Sequence, residues 1–188
     1  MLAFPFLSAA ALAQRSRWLL LPAALAALAA FCLREPLTVL GRQTLVWRHP
    51  RPESRAALRF AAVCLLLLAG SGALLAAFLD ARLVVALAAG AALLTGLNVG
   101  MTVRNRQRSP ALQVAGAAGL SASSLLAWLA ARNTLDDTVF WLWAAHSAYN
   151  TGAVLAVHAR LEARVAARRD EGSRAPARTR LWAVIAQA

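Results

Sequence analysis

The 188-residue chain is 60% hydrophobic and 15% charged, with a mean hydropathy of +0.57, whereas a soluble domain is about half apolar and about a quarter charged. A domain this small leaves roughly a third of its chain surface in water, so one core cannot absorb the excess and most of it must face lipid. The net charge of +12 does not indicate nucleic acid, because the basic residues are not spread over one soluble face. All 20 of them are Arg, a bias that fits a GC-rich genome better than a phosphate site, which would not exclude Lys.

Taken in chain order, the first apolar segment, Met1 to Ala13, is too short to cross a bilayer and reads as a short or truncated helix. Ala11, Leu12 and Ala13 resemble a signal-peptide cleavage site, but nothing basic precedes the segment. A full span needs about 20 mostly apolar residues. Trp18 to Leu33, extended by its flanks, meets that need. In the following loop Leu37, Leu40, Thr44 and Trp47 recur at helical spacing, which suits an interfacial helix or an extension of the preceding span. Four further uncharged runs follow: Phe60 to Leu79, Leu83 to Val103, Ala111 to Ala131 and Val139 to Ala159.

The expected fold is therefore all-α, an integral membrane bundle of five full transmembrane helices plus a short N-terminal apolar helix. Residues 1–164 form the transmembrane domain, with spans at about 1–13 (partial), 18–33, 60–79, 83–103, 111–131 and 139–159. Residues 165–188 form a basic tail. Within it Asp170 to Arg180 reads as disordered, and Leu181 to Ala188 as an interfacial segment with Trp182 at headgroup depth.

Arginine-rich short loops stay on the cytoplasmic side. With this topology Arg15, Arg17, Arg82 and Arg132 fall on one side and the other 16 arginines on the opposite one. The latter side, with the C-terminus, is expected to be cytoplasmic. Trp18, Trp128, Trp141 and Trp143 then fall near the outer boundary and read as an aromatic belt. Cys32 and Cys64 sit in apolar runs and read as packing residues. Close helix contact is expected at small-residue pairs, Gly96 with Gly100 and Gly119 with Ala115 or Ser123, against a background so rich in Ala and Gly that such pairs also arise by chance.

Polar residues inside spans are costly and are the first functional candidates. His146 and Asn150 share a helical face, and Tyr149 is three residues from His146. With Asn98 they make a candidate intramembrane polar site that could hydrogen-bond a quinone carbonyl, a proton or a small polar ligand. The competing reading makes the same residues interhelical glue, at roughly 0.6 kcal/mol per contact. Arg34, Arg42, Arg104, Arg106 and Arg108 are candidate contacts for headgroups or phosphate. No nucleophile elbow, zinc-protease motif, P-loop or paired-Asp diphosphate site is present. No catalytic residues, metal or cofactor are assigned, and the residues lean away from an enzyme.

The run Phe31, Cys32, Leu33, Arg34, Glu35, Pro36, Leu37, the basic knot Arg104 to Arg108 before Ser109, and the closing Tyr149, Asn150, Thr151, Gly152 with His158, Ala159, Arg160 and Leu161 resemble the YwiC-like family of bacterial multi-pass membrane proteins. The resemblance covers roughly Met1 to Arg164. Family members begin with a basic-Glu-His-Gly-Ala-Trp segment before the first helix. Met1, Leu2, Ala3, Phe4, Pro5, Phe6 instead resembles the middle of that helix, so either the reading frame starts further upstream or this member has lost the motif. The resemblance implies a multi-pass inner-membrane protein and supplies no assignable activity. Two alternatives stand beside that: an enzyme or carrier for a lipid-soluble or small polar ligand, and an accessory subunit of a larger membrane complex. The lipid bilayer is the expected partner, and other membrane subunits or a second copy are compatible with it.

Overall fold

The computed structural model describes residues 2–14, 18–47, 53–104 and 110–169, and among them there are helices and short turns but no strand. Among the described residues seven α-helices follow in order: α1 (Ala3–Leu12), α2 (Leu20–Arg42), α3 (Glu53–Phe78), α4 (Ala81–Val103), α5 (Pro110–Ser121), α6 (Ser123–Arg132) and α7 (Asp137–Arg169). Among the described residues four stretches are long and apolar enough to cross a membrane: Leu20–Val46, Glu53–Phe78, Ala81–Val103 and Leu112–Arg132.

That is one fewer than the five expected. The fifth candidate, 139–159, does form a helix within the 33 residues of α7. His146, Ser147, Tyr149, Asn150 and Thr151 interrupt its apolar character at the middle, and charged residues begin at Arg160. The helix is long enough to cross, but not apolar enough to count on composition alone. It also runs on to Arg169, past the expected start of the tail at residue 165; residues 170–188 lie outside the described residues.

The span expected at 18–33 extends further than its apolar run. α2 passes through Arg34, Glu35 and Pro36 to Arg42, then widens into a π-helical turn over Gln43–Trp47. Of the two readings of this loop, extension of the preceding helix holds. The span expected at 111–131 is broken at Ala122. There the Leu125 amide donates to the Ala122 carbonyl at 3.1 Å, one residue short of the helical ladder. The Ser123 and Ser124 hydroxyls donate to the Leu120 and Ser121 carbonyls at 2.9 and 2.7 Å. Serine hydroxyls that bond back to the preceding turn bend helices, and here they satisfy backbone groups at the break.

One end of the bundle gathers the α3–α4 turn, the α6–α7 turn and the junction of α1 with α2. Asp80 caps α4 through the Arg82 amide (2.9 Å), and its own amide donates to the Asn133 side-chain oxygen at 3.0 Å. Asn133 ends α6 in the left-handed region, at φ 59°, which Asn tolerates better than most residues. Asp136 caps α7 by accepting from the Val139 amide, and Arg132 donates to the Ala13 carbonyl at 3.3 Å. At the opposite end Gln43 of the π-helical turn accepts the hydroxyl of Ser54 in α3, and Gly41 of α2 meets Val103 of α4. The arginines keep the expected segregation: of the described ones, Arg82 and Arg132 lie at the first end, and the rest lie toward the second.

The main core joins Phe6 and Ala9 of α1 to residues of α2, α3, α4 and α6. α1 has ten residues, about 15 Å of helix, so it fills half the depth of the bundle, between its middle and the Arg132 end. The outer faces are apolar: Leu21 and Leu28 of α2, Leu66 of α3 and Leu93 of α4 are all exposed, as lipid contact requires.

Candidate functional site

Three chain segments meet at mid-depth: the start of α1, the break between α5 and α6, and the centre of α7. His146 is 8% exposed. Its Nδ1 lies 2.8 Å from the Leu142 carbonyl and its Nε2 lies 3.0 Å from Ser8 Oγ of α1. A carbonyl only accepts, so Nδ1 carries a hydrogen. A neutral ring then accepts the Ser8 hydroxyl at Nε2. The same hydroxyl has a second acceptor, the Pro5 carbonyl, at 3.1 Å. The Phe4 ring lies against the imidazole with centroids 5.2 Å apart.

One turn further along α7, the Asn150 amide donates to Ser121 Oγ at 3.0 Å, and Ser121 donates to the Ala117 carbonyl at 2.9 Å. Ser123 ties the break to the N-cap of α1, because the hydroxyl hydrogen it gives the Leu120 carbonyl also has the Leu2 carbonyl as a second acceptor at 3.1 Å. The node thus seats a half-length helix by side-chain bonds from two neighbours. In hydrocarbon such groups have no water to turn to.

Of the expected cluster, His146 and Asn150 face inward together. Tyr149 does not join them and is 72% exposed. Positions three and four residues on from His146 flank it on opposite sides, about 100° apart, and only Asn150 falls on the inner flank. Asn98 is also apart from the node. Its side chain lies against Gly116 of α5, and its Oδ1 is buried without a hydrogen-bond partner. Gln113 Oε1 and Ser147 Oγ are likewise buried and unpartnered. Each such atom carries a desolvation penalty of about 1–3 kcal/mol.

Ser8 is not among the residues that the sequence singles out. It stands in a segment too short to span, although the rule that flags polar residues in apolar runs applies to it equally. Of the candidate headgroup contacts, Arg34 is half-buried with an unpartnered Nε, Arg42 ends α2, and Arg104 is exposed at the end of α4. These three lie toward one end of the bundle; Arg106 and Arg108 lie outside the described residues. Trp18 and Trp141 are exposed, as a belt requires, but Trp128 is 2% exposed and belongs to the core. Trp143 donates to the Ala118 carbonyl at 3.1 Å. Cys32 and Cys64 are free thiols in one packed cluster with Leu33 and Ala61. Among the described residues no three His, Cys, Asp or Glu side chains come together as a metal site.

A double-mutant cycle tests the Ser8–His146 contact. His146→Ala and Ser8→Ala, measured singly and together by unfolding in detergent, are expected to show a coupling of about 0.6 kcal/mol and at most about 1.7 kcal/mol. Strictly additive losses would mean that the bond holds nothing.

A family model described as YwiC-like protein matches residues 1–131, well over half of the chain. The match takes in α1 to α5 and all but the last residue of α6. It contains the Phe31 to Leu37 run and the basic knot and stops short of the expected Arg164. No curated protein and no solved structure matches.

Proposed function

We propose that this chain, which belongs to the YwiC-like family, is a multi-pass protein of the bacterial inner membrane with α7 as a fifth crossing. α1 enters as a half-span helix, and the arginine-rich end and C-terminus face the cytoplasm. The single observation that carries this reading is the segregation of arginine to one end of an otherwise apolar-faced bundle, since short basic loops are retained inside. α7 supports it by its length and by turning His146 and Asn150 inward. The His146 node then acts as the internal seat of α1, because the polar atoms that define it already bond to one another.

A second reading has one observation in its favour. Ser147 Oγ, next to His146, is buried without a partner, so a small hydrogen-bonding ligand entering from the lipid, such as a quinone, would find an unmet group there. Reporter fusions test the topology. A phosphatase placed after Thr134 should be active and one at the C-terminus inactive. Equal activity at the two positions would leave only four crossings, and an active C-terminal fusion alone would reverse the orientation.

A further inference from the structure

The hydrogen bonds around His146 can be satisfied in two ways. In the neutral ring Nδ1 donates to the Leu142 carbonyl and Nε2 accepts the Ser8 hydroxyl. A proton added at Nε2 makes both ring nitrogens donors, so the bond to Ser8 must run the other way. Ser8 Oγ can accept it, because its own hydrogen has another acceptor in the Pro5 carbonyl at 3.1 Å. Only the hydroxyl hydrogen turns, and every heavy atom keeps its place. The bonds of the charged ring to the Leu142 carbonyl and Ser8 Oγ are then charge-assisted, about twice as strong as neutral ones. The Phe4 ring has its centroid 5.2 Å from that of the imidazole, within the about 6 Å over which an aromatic ring attracts a cation.

We infer that His146 is a reversible proton-binding site at mid-depth of the bundle, and that the Ser8 hydroxyl reverses direction with each proton bound, so that α1 stays seated in both charge states. Neutral groups alone hold the proton. The elements packed against α7 are α1, α5 and α6, and α1 and α5 carry no charged or titratable side chain. α6 has only Arg132, which pairs with Asp136, ten residues before His146 and so about 15 Å along the axis. On α7 itself Asp137 is about 14 Å away and His158 and Arg160 about 18 Å or more, while Tyr149 is turned outward. The inference rests on the reading of the node as the seat of α1, yet the two fail separately. Additive losses in the double-mutant cycle would remove the neutral seat, whereas a coupled neutral bond around a ring that never titrates would remove only the proton site.

The double variant His49→Gln, His158→Gln leaves His146 as the one histidine of the full chain. With its ring nitrogens labelled, nuclear magnetic resonance in detergent from about pH 8 to about pH 4 should show one protonated and one bare nitrogen converging on two protonated ones. The change should reverse on returning the pH, with the near-ultraviolet circular dichroism of the packed tryptophans unaltered. In that background Ser8→Ala should bind the proton about tenfold more weakly, the loss expected of one charge-assisted bond. Phe4→Leu, which leaves every hydrogen bond in place, should weaken it about two- to fivefold, and it decides the matter if Ser8→Ala does not fold. A ring that keeps a bare nitrogen throughout would overturn the proposal, as would a titration that abolishes the near-ultraviolet signal. So would a proton affinity that a folded Ser8→Ala, or in its place Phe4→Leu, leaves unchanged.

Discussion

Trp128→Ala is expected to destabilise the folded bundle by about 3 kcal/mol or more, and Trp128→Phe by about 1 kcal/mol or less. Trp128 is 2% exposed and packs with Ala13, the C-cap of α1, Leu125 and Ala131 of α6 and Val139 of α7. The Arg132 guanidinium lies 4.6 Å from its ring centroid and also holds the Ala13 carbonyl. Lipid is as apolar as the core, so little of the cost is transfer from water. It comes from the dispersion contacts that a cavity forfeits, and from loosening the end of α1. Phe keeps most of the ring. It also removes the indole N–H, which is buried without an acceptor, so the relief of that unmet donor offsets part of the lost volume. Unfolding in detergent, followed by near-ultraviolet circular dichroism, checks the pair. Equal losses for Ala and Phe would show that ring packing is not what Trp128 supplies.

The all-helical architecture is legible because lipid demands long uncharged runs, and charged residues bound those runs in the sequence. The same rule misjudges α2. Arg34 and Glu35 predict a stop, yet a helix near the membrane boundary can carry charges that reach the headgroups, and Pro36 does not end it. Composition also cannot say which polar residues turn inward. Tyr149 and Asn150 are adjacent in sequence and nearly equally spaced from His146, and the rotation of α7 alone separates an exposed phenol from a buried amide. Trp128 sits at the depth of an aromatic belt, but its direction is set by α1 and α7, which come from distant parts of the chain. The node is half legible: His146 and Asn150 stand out as intramembrane polar residues. Ser8, 138 positions from His146, becomes part of it only once α1 folds back into the bundle.

Glycine substitutions should divide sharply by position. Gly41→Leu and Gly119→Leu are expected to cost about 1–3 kcal/mol each, whereas Gly96→Leu and Gly100→Leu should change stability by about 0.5 kcal/mol or less. A Cβ at Gly41 would lie 3.0 Å from Val103 Cγ2, and one at Gly119 would lie 3.2 Å from Leu94 Cδ1. A longer side chain at either site therefore pushes α4 away from α2 or α5. α4 is the least buried of the four candidate spans, so these two close approaches matter more to its seating than they would in a deeply buried helix. At Gly96 and Gly100 no atom of the described residues lies within 4 Å of the added carbon, and the better helix propensity of Leu compensates for any small disturbance. The GxxxG spacing noted in the sequence is therefore not the pair that docks α4 within this chain; the docking glycines lie on α2 and α5. Detergent unfolding of the four variants checks the division. A loss at Gly96 or Gly100 as large as that at Gly41 would refute the open face of α4, and no loss at Gly41 would show that Val103 moves aside without weakening the α2–α4 seam.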